Sequence, residues 1–197
     1  MGSPSRDLLW QVAAEQQGYF TAAQATEAGF SHQSQYFHVQ RGNWTKVSRG
    51  IYRFKEYLDL PDDGNAHFVR WALWSRQRAV VSHTSALAVH DLGVANPDRV
   101  HLSVPPSFRQ SSREVVLHRV ALDKADIEDH QGFRVTKPYR AIAETADLGV
   151  PQDVLDSAVT ELLTRGSSTK RQLLHAAQRM SPRAELAVER ALQTEST

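Results

Sequence analysis

Apolar residues at the start of the chain recur every three to four positions, the spacing that places them on one face of a helix. This pattern predicts a first helix over residues 7–17, which ends at a glycine. Two shorter helices are predicted over 22–28 and 32–41, because Thr21 and Ser31 can each cap a helix N-terminus. A glycine follows each of these helices and releases the chain from the helical conformation.

The pattern changes to alternation between residues 42 and 55, where large apolar or basic residues occupy every second position. Ser48, Arg49 and Gly50 lie in the middle of this segment and predict a tight turn. Alternation on both sides of a glycine turn is typical of a two-stranded hairpin. Residues 56–65 then contain a proline and an Asp-Asp-Gly turn, which predict a domain boundary.

The second part of the chain mixes helical and strand patterns. A predicted helix over 66–78 precedes a short strand at 79–81 and a helix that ends near Gly93. Further strands are predicted over 100–104, 114–120 and 133–137, and further helices over 138–147, 152–165, 169–179 and 182–192. We therefore predict an α+β fold with two domains. Residues 1–57 would form a winged helix-turn-helix, and residues 64–197 a larger mixed α/β domain with a small sheet backed by helices.

The charge of the chain is distributed unevenly, although its net value is only +1. No acidic residue occurs between Glu27 and Glu56, whereas five basic residues do: Arg41, Lys46, Arg49, Arg53 and Lys55. Cations of this kind release counterions when they neutralise phosphates, and this release supplies much of the affinity of DNA-binding proteins. The basic segment includes the predicted hairpin, so we predict a DNA-binding surface there.

Individual contacts follow from the docking of helix-turn-helix proteins, in which the N-terminal residues of the second helix meet base edges. The predicted base or phosphate contacts on this helix are Ser31, His32, Gln33, Ser34 and Tyr36. The predicted phosphate contacts are Arg41, Lys46, Arg49 and Arg53, with Arg49 at the wing tip a candidate for the minor groove. The alternative is that these residues are only a solvated helix end and a solvated hairpin.

The orientation of this helix is ambiguous in the sequence. Gln35 and His38 occupy positions where apolar residues facing the domain core are expected, so the face that points to DNA stays open. Phe37 and Val39 are predicted to lie in the core. In the second domain, six basic residues could form another basic surface: Arg109, Arg113, Arg119, Arg134, Lys137 and Arg140.

The sequence carries no signature of catalysis, and we predict no enzyme activity, no catalytic residue and no cofactor. Cysteine is absent, which excludes disulfides and thiolate nucleophiles. The nine histidines form no H-E-x-x-H or H-x-H motif, so no metal site is predicted, and capping or packing roles are favoured for His83, His90, His101 and His118. Neither a G-x-S-x-G elbow nor a D…E-x-K set is present.

Three segments carry a resemblance to a known family. The run AGFS…HVQRGNWTKVSRGIYRF resembles the N-terminal winged-helix domain of AbiEi-family antitoxins. The segments VSHTSALAVHDLG (81–93) and FRVTKPYRAIAETADL (133–148) resemble the C-terminal domain of the same family. The resemblance extends over about residues 7–192. These proteins are the antitoxins of type IV toxin–antitoxin, or abortive-infection, systems.

The resemblance implies two activities. The winged helix would bind inverted repeats in double-stranded DNA of its own promoter and repress the operon. The C-terminal domain would counteract a nucleotidyltransferase toxin without forming a stable complex with it. A stand-alone winged-helix regulator, or a protein-interaction module without a toxin partner, is the alternative. No apolar stretch approaches the ~18 residues of a membrane span, so we expect a cytoplasmic protein with no membrane partner.

Overall fold

The computed structural model describes residues 4–61, 64–93 and 98–194. The chain forms two compact units, each with its own core. The first contains the residues up to Arg78 together with Asp129–Phe133, and the second contains Ala79–Glu128 and the residues from Arg134 onward. The first unit thus extends past the boundary predicted between residues 57 and 64.

The first unit combines four helices of the described residues with a small antiparallel sheet. Its elements are α1 (Pro4–Ala14), β1 (Tyr19–Thr21), α2 (Ala22–Glu27), α3 (His32–Gln40), β2 (Trp44–Ser48), β3 (Ile51–Phe54) and α4 (Ala66–Trp74). The strand order is β1-β3-β2, with β3 antiparallel to both neighbours. The strand β1 was not predicted, because three residues are too few to show an alternating pattern.

Aromatic residues form much of the core of this unit. Phe20 is fully buried, and its ring centroid lies 4.8 Å from that of Trp44 and 4.9 Å from that of Phe54. Gly18 is required beside this cluster, because its φ is +84° and a Cβ there would collide with the Tyr57 ring. The helix α4 joins the unit through Phe68, which packs against Phe133, and this contact explains why the unit extends past the predicted boundary.

The second unit carries most of a mixed sheet, together with helices. Its strands are β4 (Val80–Val81), β5 (Val100–Val104), β6 (Val115–Arg119), β7 (Ile127–His130) and β8 (Phe133–Thr136), although the Asp129–Phe133 turn is grouped with the first unit. The sheet order is β6-β5-β4-β8-β7. The strand β4 is antiparallel to β5 and parallel to β8, and β5 is parallel to β6.

Helices complete this unit and pack on the sheet and on one another. They are α5 (His83–Val89), α6 (Pro138–Leu148), α7 (Gln152–Thr164), α8 (Lys170–Met180) and α9 (Pro182–Thr194). The central helix α6 buries Ile142 together with Ala141, Ala143 and Ala146, and the small alanine side chains let neighbouring helices approach closely. The α+β class predicted from the sequence is confirmed. None of the described helices is both long and apolar enough to cross a membrane.

Candidate functional site

The packing of α3 on α2 is fixed by a buried glutamine. Gln35 is only 3% exposed, and its Nε2 donates hydrogen bonds to Ala22 O (3.2 Å), Thr26 Oγ1 (3.0 Å) and Phe30 O (3.1 Å). A buried amide is tolerated when its hydrogen bonds are made, and here they join α3 to α2 and the intervening turn. Gln35 therefore faces the core despite its polarity.

His38 also faces the core, through ring contacts instead of hydrogen bonds to α2. Its ring stacks on Trp44 with centroids 4.7 Å apart and meets the edge of Phe30 at 5.3 Å. Burial lowers the pKa of His38 below its usual value, and the positive charge of Arg6 lowers it further. Gln35 and His38 together define the inner side of α3, which resolves the ambiguity in the sequence.

The opposite side of α3 is exposed. It consists of His32, Gln33, Tyr36, Phe37 and Gln40, and we call it the α3 outer face. Phe37 was predicted to lie in the core, and this was wrong: its side chain is 47% exposed, and the Arg41 guanidinium lies 4.4 Å from its ring centroid. Val39 is half-buried and packs against the core, in agreement with its prediction.

The first residues of α3 are held by a side-chain cap. Ser31 Oγ accepts a hydrogen bond from Ser34 N at 3.2 Å, as an N-cap residue does. Ser31, His32 and Gln33 are exposed, whereas Ser34 is half-buried. The free backbone N–H groups and the positive end of the helix dipole make this end of α3 a favourable place for a phosphate oxygen.

The hairpin places one lysine beside the α3 outer face. In the β2–β3 register Lys46 pairs with Tyr52, and paired residues of an antiparallel sheet share a face. Lys46 and Tyr52 line a cleft of about 240 Å³ together with His32 and Tyr36 of α3. Arg49 lies in the turn between the strands and is exposed.

Arg53 lies on the other face of this sheet. It pairs with Thr45 and Tyr19, one position out of phase with Lys46 and Tyr52. Its Nε donates to Gln17 O at 3.1 Å, and its guanidinium lies 4.8 Å from the Tyr19 ring centroid. Of the nine predicted DNA-contact residues, His32, Tyr36 and Lys46 line one cleft, whereas Arg53 lies on the other face of the sheet.

The charges around this surface are mainly positive. Arg41, Lys46, Arg49 and Lys55 are all exposed. Glu56 is the acidic residue that follows the basic segment. It forms an ion pair with Arg6 at 2.7 Å, and this pairing offsets the negative charge of Glu56. An anionic ligand would thus meet cations on both α3 and the hairpin.

A second concentration of polar groups lies in the second unit, around a buried carboxylate. Glu144 is fully buried and accepts hydrogen bonds from His83 N (3.2 Å), Thr136 Oγ1 (3.1 Å) and Arg140 Nε (2.9 Å). Burial raises the pKa of Glu144, and the charge of Arg140 opposes this rise. Arg140 also donates to Asp126 at 3.2 Å. Arg140 is therefore part of an internal ion-pair network and is withdrawn from the predicted basic surface.

The backbone at His83 adopts a conformation that is costly for a residue with a Cβ. Its φ is +55°, in the left-handed region. The hydrogen bond from His83 N to Glu144 helps to hold this conformation. Strained backbone of this kind occurs where the surrounding structure imposes it, often at functional sites.

Three histidines that are distant in the sequence converge on the sheet. His83, His101 and His118, which we call the histidine cluster, each offer one ring nitrogen, and these atoms lie within 4.8 Å of one another. His101 Nδ1 is 3.1 Å from His118 Nε2, and the His83 ring stacks on His118 with centroids 3.5 Å apart. The sequence showed no such convergence, because the cluster depends on the β4-β5-β6 strand order. His90 is separate and bonds Thr136 O at 2.8 Å.

The comparisons with known proteins identify a similar fold. No protein-family model matches this chain, and no curated protein matches it. Among solved structures, the chain is similar to the RV2827C protein from Mycobacterium tuberculosis, with a TM-score of 0.62 and 14% sequence identity. The similarity covers 99% of this chain and 78% of that protein. At this identity, the two chains share a fold, and the likeness implies nothing about activity.

Proposed function

We propose that this chain is a non-enzymatic DNA-binding antitoxin of the AbiEi type, whose first 57 residues form a winged helix-turn-helix that represses its own operon. In this proposal α2 and α3 are the helix-turn-helix and the β2–β3 hairpin is the wing. The observation that carries the proposal is the exposed α3 outer face beside Lys46 and Arg49, in a segment without acidic residues.

The dimensions of α3 suit the major groove of DNA. A helix with its side chains is about 10–12 Å in diameter, and the groove is about 12 Å wide, so the exposed face of this nine-residue helix can lie against base edges. Gln33 is exposed near the start of the helix and has the amide that pairs with adenine. His32, Ser34 and Tyr36 would add base or phosphate contacts, with Ser31 serving mainly as the helix cap.

The hairpin would hold the sugar-phosphate backbone. Lys46 is beside α3, and Arg49 is at the turn, so the two cations can meet phosphates on different sides of the groove. Arg41 lies at the C-terminal end of α3 and can meet a third phosphate. Arg53 is better placed to stabilise the sheet through Gln17 and Tyr19 than to contact this DNA.

A binding experiment with the upstream DNA of the gene tests the proposal. We expect the full chain to shift fragments containing an inverted repeat, and the Lys46→Glu/Arg49→Glu variant to lose this binding. The matched control is Lys124→Glu/Arg171→Glu, which changes the net charge equally through two exposed residues of the second unit. Failure of the wild-type chain to bind any upstream inverted repeat at low salt would refute repression by this module.

A protein-interaction module is the second candidate, and the exposed aromatic pair Tyr36 and Phe37 favours it. Apolar side chains exposed on one helix face can dock a protein partner as well as contact thymine methyl groups. The same charge-reversal variant separates the candidates. A mainly apolar protein contact would survive reversal at Lys46 and Arg49, whereas DNA binding would not.

The antitoxin half of the proposal rests on the resemblance of residues 81–93 and 133–148. These two segments pack together in the second unit, where His83 and Thr136 both bond Glu144. Co-expression with the product of a neighbouring reading frame that has nucleotidyltransferase signatures tests this half. We expect growth to be restored by this chain, and unrestored growth at matched expression would count against neutralisation.

A further inference from the structure

The histidine cluster lies where two parallel strands meet the start of a helix. His101 is on β5, His118 is on β6, and His83 is the first residue of α5. Residues 101 and 103 share one side of β5, and Ser103 pairs with His118 across the β5–β6 register. The strand pairing and the α5 start thus bring all three imidazoles to one side of the sheet.

We propose that His83, His101 and His118 bind one divalent transition-metal ion of the zinc class, a property that goes beyond the proposed DNA-binding function. No metal site was expected from the spacing of histidines along the chain, because the three ligands come from three separate elements.

The distances are compatible with a shared ion after a small rearrangement. Zinc binds histidine nitrogen at about 2.0–2.1 Å, which places two tetrahedral ligand atoms about 3.3 Å apart. His101 Nδ1 and His118 Nε2 already lie 3.1 Å apart. The stacked His83 and His118 rings must turn so that both nitrogens point at the ion. His118 is half-buried, and its ring also contacts His101.

Hydrogen bonds orient the buried ligand. His83 Nδ1 and Ser82 Oγ are 2.9 Å apart, and Ser103 Oγ donates to Ser82 Oγ at 2.9 Å. When Nδ1 carries the proton and donates to Ser82, the lone pair of Nε2 is available to the ion. Metal-binding histidines commonly have such a partner on the other ring nitrogen. Ser82 is therefore a positioning residue for His83.

All three ligands of the histidine cluster are imidazole nitrogens, and this ligand type indicates the class of metal. Imidazole nitrogen suits zinc, copper, nickel and iron, whereas calcium and magnesium prefer oxygen ligands. Three protein ligands leave a fourth tetrahedral position for a water molecule or another ligand. His101 and His118 are half-buried and not fully enclosed, so a solvent ligand could reach this position.

Titration of the full-length chain with Zn²⁺ tests the site, after removal of any affinity tag and dialysis against a chelator. We expect one ion per chain by calorimetry, and a Co²⁺ absorption spectrum typical of tetrahedral coordination. His101→Ala and His118→Ala should each weaken binding by at least about 100-fold, because the loss of a ligand exceeds the 10–100-fold cost of losing a second-shell partner. Ser82→Ala should weaken it about 10-fold.

The matched control is His175→Ala, which removes an exposed histidine on α8 outside the cluster. This variant should bind Zn²⁺ as the wild type does. Circular dichroism confirms that each variant is folded, and Zn²⁺ should raise the Tm of the wild type but not that of His118→Ala. Unchanged one-to-one binding in a folded His101→Ala/His118→Ala chain, or no binding by the wild type at micromolar Zn²⁺, would overturn the proposal.

Discussion

On α3, tertiary contacts decide which side chains are buried, and the residue type alone does not. The sequence placed Gln35 and His38 on a helix face that should be apolar, but it could not tell whether the helix was rotated. The structure answers this through contacts that local sequence does not encode: three hydrogen bonds from Gln35 to α2 and its turn, and stacking of His38 on Trp44. The same rotation exposes Phe37, whose apolar character had predicted burial.

Gln35 and Gln33 should respond oppositely to truncation. Gln35→Ala leaves Phe30 O without its side-chain donor and removes the links to Ala22 O and Thr26 Oγ1, so we expect the free energy of unfolding to fall by about 1–3 kcal/mol. Gln33→Ala removes an exposed side chain and should change stability by less than about 0.5 kcal/mol, while weakening binding to the upstream DNA. Urea denaturation and DNA binding, measured on both variants, check this. Equal stability losses would contradict the assigned orientation of α3.

The buried ion pair between Arg140 and Glu144 predicts a second effect at the residue scale. Glu144→Ala leaves a buried guanidinium with Asp126 alone and removes the acceptor of His83 N, so we expect a loss of about 3–5 kcal/mol. The triple variant Asp126→Asn/Arg140→Met/Glu144→Leu replaces all three charges of this network by neutral groups and should recover part of this loss. Thermal and urea unfolding measure both. A triple variant less stable than Glu144→Ala would show that the charges themselves are required.

At the scale of elements, helices were more predictable than strands. Helix caps such as Thr21 and Ser31 are local signals, and both act as predicted by accepting hydrogen bonds from the third helical residue. The strands β1 and β7 are short, and β1 pairs with a strand distant in the sequence. No local pattern therefore predicted them. Strand register also decided which face Arg53 occupies. A list of basic residues from the sequence could not make that distinction.

The hairpin register leads to a prediction about salt dependence. Each phosphate contact contributes about −0.9 to the slope of log K against log salt concentration for DNA. Lys46→Ala and Arg49→Ala should therefore each make the slope less steep by about 0.9. Arg53→Ala should leave the slope unchanged and reduce stability instead, because Arg53 bonds Gln17 O and covers Tyr19. Binding measured between about 50 and 200 mM salt checks this, and a shallower slope in Arg53→Ala would place Arg53 at the DNA.

At the scale of the whole molecule, the sequence predicted the α+β class, because helical and strand periodicities both occur along the chain. It did not predict the histidine cluster, since His101 and His118 lie 17 positions apart and meet only through the β5–β6 pairing. It also did not predict that α4 belongs with the first unit, because an amphipathic helix can pack on either neighbour. Both features depend on tertiary contacts between segments whose local patterns are compatible with several arrangements.

The division of the chain into two units predicts that its two proposed activities can be separated. Lys46→Glu/Arg49→Glu alters two exposed residues of the first unit and no buried contact, so the second unit should keep its fold. We expect this variant to lose repression of a reporter driven by the upstream DNA. It should still restore growth to cells that express the neighbouring nucleotidyltransferase-like protein.

The reciprocal variant is Glu144→Ala. It should weaken neutralisation more than repression, because it disrupts the core of the second unit around His83. Matched expression, verified by immunoblot, ensures that the comparison reflects activity and not protein abundance. If the charge-reversal variant lost neutralisation together with repression, neutralisation would depend on DNA binding. The chain would then protect cells by lowering toxin expression, and the second unit would have no separate role in opposing the toxin.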